Sequence, residues 1–205
     1  MLTWIVTCFQ KSFRNIARAI VLAGYNDSTI CNFFRKRGAQ IGEGCYICTK
    51  SLGTPWLVSL GNHVWISVDV IFHSHDGGTW VFRDKYPELD IFGPIVIEDN
   101  CLIGARAQLL PNIRIGRNSI VGAGSVVISD VPPNSIVMGI PARPISSLSK
   151  YEDSCLTKWK EQTPPGLDMT VKDWWRSKKN FNRFRRHLIN IYMNRSKEEK
   201  GDTNK

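Results

Sequence analysis

Aliphatic residues recur at every sixth position between residues 97 and 127. The positions are Ile97, Ile103, Leu109, Ile115, Val121 and Val127, and the residue four places past each is mostly small: Cys101, Ala107, Ser119 and Ser125. A six-residue period fits neither the 3.6-residue repeat of a helix nor the two-residue alternation of a strand. It is typical of a solenoid in which each short strand ends in a turn and the next begins in register.

The same period is present upstream, with two breaks. Apolar residues continue it at Ile41 and Ile47, and again at Leu60, Ile66 and Phe72. Residues 51–56 form the first break, where Gly53 and Pro55 mark a turn. The second runs from roughly residue 73 to residue 94 and is rich in polar side chains. Long excursions from a regular scaffold are usually functional. After Val127, proline-rich segments are predicted to end the repeats.

The flanking segments are predicted to be helical. Apolar residues spaced by three and four between Leu2 and Ile20 indicate an amphipathic helix, which would cap the open end of the solenoid or lie on a membrane interface. A short helix is predicted around residues 30–37, with Gly38 just past its end. We therefore predict an N-terminal helical cap over 1–40 and a solenoid domain over 41–146 with an active-site loop at 73–94. A linker, a basic helix around 171–193 and a tail are predicted within 147–205.

The basic residues are concentrated in these flanks. The net charge is +9, and residues 150–205 hold fourteen Lys and Arg against eight acidic residues, whereas 41–149 hold seven against nine. This pattern is compatible with attraction to an anionic membrane surface or with solvated helix faces. No nucleic-acid motif accompanies the charge, so no nucleic-acid partner is expected.

The cysteines favour a reducing compartment. Six are scattered along the chain, no secretory signal is recognised, and no apolar run approaches the length of a membrane span. We expect a cytoplasmic protein, with peripheral contact at the inner face of the membrane as the alternative. The pair Cys45 and Cys48 lacks the second pair that a zinc site needs, so a structural role is predicted for it.

Three of the four histidines, His63, His73 and His75, fall within thirteen residues. His75 precedes Asp76 at the start of the long break. A neutral imidazole at such a position can take a proton from a hydroxyl that attacks an acyl group. The alternative is a histidine that only forms hydrogen bonds in a turn.

Several segments carry a resemblance to a known family. These are Ile97–Ala105, Leu109–Gly116, Val121–Val127, Pro132–Asn134 and Gly139–Arg143. They resemble the hexapeptide-repeat acyltransferases, which include galactoside, maltose, serine and xenobiotic acetyltransferases, over about residues 41–146. The motifs Thr54–Trp56 and His73–Gly78 are most similar to O-acetyltransferases of capsule, exopolysaccharide or O-antigen synthesis.

The resemblance implies a fold and a site. The fold would be mainly β, a left-handed parallel β-helix, assembled as a homotrimer with active sites between adjacent helices. His75 would be the catalytic base, with His73 as the alternative. Acetyl-CoA would be the co-substrate, contacted by the backbone at Ala105 and Ala123 and at a phosphate by Arg143. No metal is expected.

The acceptor would be a sugar or a lipid-linked oligosaccharide. Carboxylates accept hydrogen bonds from hydroxyl groups, and indole faces stack on pyranose rings. Candidate acceptor contacts are Asp76, Asp90, His73, Trp80 and Trp65, each of which has a structural alternative; Asp90, for example, could pair with Arg83.

The chain also departs from the family pattern. Ile128 and Ser129 stand where many members have Thr and Lys, and Ser146 stands where many have a basic residue. The catalytic Asn of the galactoside and maltose enzymes has no clear counterpart.

The sequence thus predicts an acetyl-CoA-dependent O-acetyltransferase that acts on a sugar hydroxyl in surface polysaccharide biosynthesis. Three alternatives stay open. The first is an N-acetyltransferase of a nucleotide-linked amino sugar. The others are a metal enzyme like the γ-carbonic anhydrases, which use three histidines, and a solenoid scaffold without enzymatic activity.

Overall fold

A computed structural model describes residues 27–168 and 176–201. The amphipathic helix predicted between residues 2 and 20 lies outside these ranges. Two compact units divide the chain, Met1–Leu148 and Ser149–Lys205. In the described ranges, no helix is both long enough and apolar enough to span a bilayer.

The described part of the first unit contains thirteen short strands. They are β1 (Gln40–Ile41), β2 (Tyr46–Ile47), β3 (Val58–Leu60), β4 (Trp65–Ile66), β5 (Ile71–Phe72), β6 (Ile95–Ile97), β7 (Leu102–Ile103), β8 (Gln108–Leu109), β9 (Ile113–Ile115), β10 (Ile120–Val121), β11 (Val126–Val127), β12 (Ser135–Gly139) and β13 (Ala142–Ser147). Sheet A contains β1, β3, β6 and β9; sheet B contains β2, β4, β7, β10, β12 and β13; sheet C contains β5, β8 and β11. From β3 to β11, successive strands belong to sheets A, B and C in turn, and each strand pairs in parallel with the equivalent strand of the adjacent coil. This path is a parallel β-helix.

The register explains the six-residue period. Ile97 pairs with Ile115, and one sheet further on Ile103 pairs with Val121. Leu109 in turn pairs with Val127. Paired residues stand eighteen positions apart, so three six-residue steps complete one coil and place each aliphatic side chain on its equivalent. All six are at most 1% exposed. Burying such a side chain contributes about 1.5–3 kcal/mol, so this stack dominates the core.

One corner of the β-helix, between sheets A and B, carries a ladder of polar side chains. His63, Asn100, Asn118 and Asn134 all have left-handed backbone conformations, with φ between 55° and 58°. His63 Nδ1 lies 2.8 Å from Asn100 Oδ1. Asn100 Nδ2 donates to Asn118 Oδ1 at 2.9 Å, and Asn118 Nδ2 donates to Asn134 Oδ1 at 3.0 Å. Asn suits this corner because it tolerates the left-handed conformation and has an amide that can both donate and accept.

Small polar side chains fill the interior beside this corner. Cys45 Sγ donates to Gly61 O at 3.1 Å, and Cys101 Sγ donates to Gly116 O at 3.2 Å. In the next coil, Ser119 Oγ likewise donates to a backbone carbonyl, that of Pro132. Burial raises the pKa of both the Cys45 and the Cys101 thiols, which keeps them protonated as donors. These contacts agree with the structural role predicted for Cys45.

Parallel pairing continues in sheets A and B beyond the last predicted repeat. Val131 bridges to Ile115, and Ile136 of β12 pairs in parallel with Ile120. Ile136 stands sixteen rather than eighteen positions after its partner, so the six-residue phase is lost although the stacking continues. The antiparallel strand β13 then closes sheet B.

Three helices precede or follow the strands along the described residues of the chain. Helix α1 (Asp27–Arg35) buries Ile30 and Phe34 and contacts β1 and β2, as predicted for a short helix at this position. Helix α2 (Leu148–Gln162) was not expected from the sequence. Helix α3 (Lys178–Gly201) contains most of the predicted basic helix, of which residues 171–175 lie outside the described ranges.

Candidate active site

The long break in the repeat leaves the β-helix between β5 and β6 without disturbing the stacking. Phe72 still pairs with Leu109, and Leu60 still pairs with Ile97. The two ends of the loop run antiparallel: Asp76 N donates to Ile91 O at 2.8 Å, and Gly93 N donates to Ser74 O at 3.0 Å. The loop therefore begins directly after β5, and its two ends form a hydrogen-bonded base.

His73 and His75 occupy different environments at this base. His73 is half-buried, and its Nε2 lies 3.2 Å from Gln108 Oε1. His75 is exposed and pairs with Phe92 in an isolated bridge, with ring centroids 6.2 Å apart. Of the two imidazoles, that of His75 is the one presented to solvent beside the loop.

Ser74, between the two histidines, joins the two breaks of the repeat. Its side chain is fully buried, and its Oγ accepts a hydrogen bond from Thr54 N at 2.8 Å. Gly53 has a φ of +62°, and a Cβ there would lie 2.5 Å from Phe72 O, so only glycine permits this approach. The short break at 51–56 is therefore packed against the base of the long loop.

The two candidate acceptor carboxylates have structural partners within the loop. Asp76 Oδ1 accepts from Gly78 N at 2.8 Å and caps the 3-10 helix Gly77–Phe82. Asp90 Oδ2 lies 3.7 Å from a guanidinium nitrogen of Arg83. The pairing of Asp90 with Arg83, left open by the sequence, is thus present. Trp80 is 76% exposed on the 3-10 helix.

Trp65 lies elsewhere, on sheet B. Its ring packs edge-on against Tyr46 at 5.6 Å.

Ala105 and Ala123 lie on the corner between sheets B and C. They stack one coil apart, and Gly124 N donates to Ala105 O at 2.8 Å. The strand β13 carries Arg143, which is exposed and pairs across the hairpin with Met138. Small residues therefore follow one corner, and Arg143 lies at the end of sheet B beyond them.

His75 and the two alanines lie at opposite ends of the strands of sheet C. The strands of this sheet are parallel. Ala105 precedes β8, whereas His75 follows β5. Within one chain, the candidate base and the candidate cofactor residues are therefore separated by the length of these strands.

The third clustered histidine, His63, belongs to the ladder at the corner between sheets A and B. Within residues 27–168 and 176–201, no group of three His, Cys, Asp or Glu side chains is placed to hold a metal ion.

Sequence reasoning did not select two aromatic residues at the base of the loop as site residues. Phe92 lies directly across the loop base, and Trp56 lies 6.4 Å from Phe92 between ring centroids. Trp56 stands at the first break of the repeat, a position that could have pointed to it. Phe92 gives no such signal because its placement depends on the path of the loop.

Comparisons with known proteins match both the repeat and the fold. The bacterial transferase hexapeptide (six repeats) family matches residues 94–129. Protein CapG of Staphylococcus aureus is 41% identical over 126 residues, which cover 60% of this chain and 73% of CapG. A 2,3,4,5-tetrahydropyridine-2,6-dicarboxylate N-acetyltransferase of S. aureus is 44% identical over 61 residues, but the match spans only 26% of its length.

Two solved structures of a hexapeptide-repeat-containing acetyltransferase from Vibrio cholerae are also similar. One is 24% identical with a TM-score of 0.52, covering 67% of this chain and 89% of the other, and it shows likeness of fold. The second, complexed with acetyl coenzyme A, is 32% identical with a TM-score of 0.47, covering 55% of this chain and 61% of the other.

The stacked six-residue repeats and the extent of the match to CapG define the class of this protein. The chain belongs to the hexapeptide-repeat transferases.

Proposed function

We propose that this protein is an acetyl-CoA-dependent O-acetyltransferase that acetylates a sugar hydroxyl during the synthesis of a surface polysaccharide. The observation that carries the proposal is the exposed imidazole of His75 at the base of the only long loop that interrupts the described repeats. The resemblance of Thr54–Trp56 and His73–Gly78 to polysaccharide O-acetyltransferases supports the class of acceptor.

His75 is the general base in this proposal. Its imidazole accepts the proton of the acceptor hydroxyl, and the oxygen then attacks the carbonyl carbon of the acetyl thioester. As the carbon–sulfur bond breaks, the imidazolium returns the proton to the departing thiolate. The exposure of His75 favours it over His73 for this role, because the half-buried His73 ring is less accessible to an acceptor hydroxyl.

The corner between sheets B and C fits the pantetheine arm of acetyl-CoA. The side chains of Ala105 and Ala123 leave the backbone approachable there, and the exposed guanidinium of Arg143 would bind a phosphate. We place the complete site between adjacent left-handed β-helices of a homotrimer. There the corner of one protomer would face the His75 loop of its neighbour. This arrangement would bring together the base and the cofactor residues, which are separated within one chain.

N-acetylation of a nucleotide-linked amino sugar is the second candidate. It is favoured by the 61-residue sequence match to an N-acetyltransferase. An amine acceptor must also lose a proton as it attacks, so the same base would serve. Offering matched hydroxyl and amino sugars in one assay separates the two.

Replacing His75 tests the assignment. We expect His75→Ala to lower kcat by about 10²–10⁴-fold, because the proton acceptor is lost, while the affinity for acetyl-CoA stays nearly unchanged. Release of CoA, followed with a thiol reagent, gives the rate, and calorimetry gives the affinity.

Two other histidines provide controls. His187→Ala, in α3, should retain full activity, and His73→Ala should lose less than His75→Ala. Full activity in His75→Ala would overturn the catalytic assignment. Absence of acetyl-CoA binding to the wild-type protein would overturn the function itself.

A further inference from the structure

We infer that Trp56 and Phe92 form an aromatic platform beside His75 that receives the apolar face of a pyranose acceptor. This inference deepens the proposed function and rests on it. Neither residue is among the acceptor contacts predicted from the sequence.

Three aromatic rings from two separate segments converge at this point. The Phe92 ring lies 6.2 Å from that of His75 and 6.4 Å from that of Trp56. Phe92 therefore connects the other two. A sugar stacked on Phe92 would lie beside the imidazole.

The backbone that carries the platform is fixed by a buried hydrogen bond, while the two aromatic side chains remain exposed. The bond from Thr54 N to the buried Oγ of Ser74 fixes the turn that carries Trp56 to the base of the loop, next to His75. The 3-10 turn Pro55–Leu57 then presents the indole, which is 63% exposed, and Phe92 is 53% exposed. A rigid backbone with open aromatic faces is suited to bind a ligand with little loss of conformational freedom.

The chemistry of the surroundings favours a sugar. The two nearby carboxylates of the loop already have partners, since Asp76 caps the 3-10 helix and Asp90 pairs with Arg83. The aromatic faces are therefore the accessible recognition surface. An aromatic face carries negative quadrupole charge and attracts polarised C–H groups. A pyranose presents C–H groups on its faces and hydroxyls around its edge, so stacking on the platform would direct an edge hydroxyl toward His75.

Replacing Trp56 and Phe92 tests the platform. The probes are methyl and p-nitrophenyl glycosides of hexoses and N-acetylhexosamines, assayed with acetyl-CoA. Trp56→Ala and Phe92→Ala should raise KM for the glycoside about tenfold or more, leave KM for acetyl-CoA unchanged and change kcat less. Trp56→Phe should restore much of the affinity because it keeps an aromatic face.

Phe82→Ala is the matched control, since Phe82 is an aromatic of the same loop with similar exposure, 54%. It should leave both KM values unchanged. As a second readout, saturation transferred from the protein to the glycoside should be strongest at the ring C–H protons in the wild type and weaker in Trp56→Ala.

The outcomes separate this inference from the function on which it rests. If His75→Ala is inactive but Trp56→Ala and Phe92→Ala keep the wild-type KM for the glycoside, the platform is wrong and the transferase assignment stands. A wild type that shows neither turnover nor saturation transfer with any glycoside also overturns the platform. So does a Trp56→Ala variant whose mass by light scattering changes, because Trp56 would then be a contact between subunits.

Discussion

Glu98 receives two hydrogen bonds on the outer side of sheet A. Its Oε2 accepts from the backbone N–H of Arg117 at 3.0 Å, and its Oε1 accepts from the Arg114 guanidinium at 2.9 Å. The N–H of Arg117, followed by the Arg114 guanidinium, lowers the pKa of Glu98 below its ordinary value of 4.5. Both contacts link the end of β6 to residues of the following coil.

We predict that Glu98→Gln destabilises the fold in a pH-dependent way. A carboxyl group whose pKa is lowered by folding stabilises the folded state above its unfolded pKa and loses that effect as pH falls through the folded pKa. The loss at pH 7 should be at most about 1 kcal/mol, because the pair is at the surface, and it should shrink below about pH 4.5. Urea unfolding of both proteins from pH 7 to pH 3 measures the difference.

Glu43→Gln is the control for Glu98. Glu43 lies 3.9 Å from Arg35 with its side chain 94% exposed, so its replacement should have no measurable effect at any pH. A destabilisation by Glu98→Gln that grows as pH falls would contradict the account.

At the scale of the element, each coil from that of His63 onward is joined to the next by the polar ladder as well as by its strands. Asn118 is in the middle of that ladder, where it accepts from Asn100 and donates to Asn134. Its backbone is also left-handed, with a φ of 57°. Two separable terms, side-chain hydrogen bonding and backbone conformation, thus act at one residue.

We predict that Asn118→Ala destabilises the protein by about 2 kcal/mol, because it loses two exposed hydrogen bonds and places a Cβ without a polar group in the left-handed region. Asn118→Gly should be less destabilising, because glycine adopts this conformation without strain. Chemical denaturation measures both. Equal losses would show that the backbone term is negligible.

The sequence predicted these elements only where their packing repeats. The core positions from Ile97 to Val127 were predictable because every coil there has eighteen residues and each buries the same sites. The coil that contains Ile136 was missed because it is two residues shorter, which removes the periodic signal without removing the contact. The aromatic residues at the loop base were missed for another reason. Trp56 and Phe92 are far apart in the chain and are brought together because Thr54 N and Gly93 N both donate to Ser74, a contact that no local pattern encodes.

At the scale of the whole molecule, charge is divided between the repeats and the flanks. Residues 41–149 hold seven basic and nine acidic residues, whereas 150–205 hold fourteen basic and eight acidic residues. Lys178 and Lys179 are exposed at the start of α3. A substrate attached to a lipid would be met at a membrane surface, where such a flank is favourable.

We predict that the protein floats with vesicles that contain anionic phospholipid and not with neutral vesicles. The Debye length falls to about 3 Å at 1 M salt, so binding should be lost there. Lys178→Glu combined with Lys179→Glu should weaken flotation without changing acetyl-transfer to a water-soluble glycoside. Equal flotation of neutral and anionic vesicles, or none of either, would remove the electrostatic account and leave the basic residues as a solvated surface.

The pairing of Leu60 with Ile97, of Ile66 with Ile103 and of Phe72 with Leu109 has a consequence for how such a protein can diversify. The two residues of each pair are separated by the same number of positions in the sequence. The 73–94 segment is therefore inserted between two coils without changing the register of their strands. Related genes could therefore exchange this segment as a cassette, changing which acceptor is acetylated while inheriting the same scaffold. A chimaera that carries another transferase's segment between Ser74 and Gly93 would retain its folding and acquire the donor's substrate range.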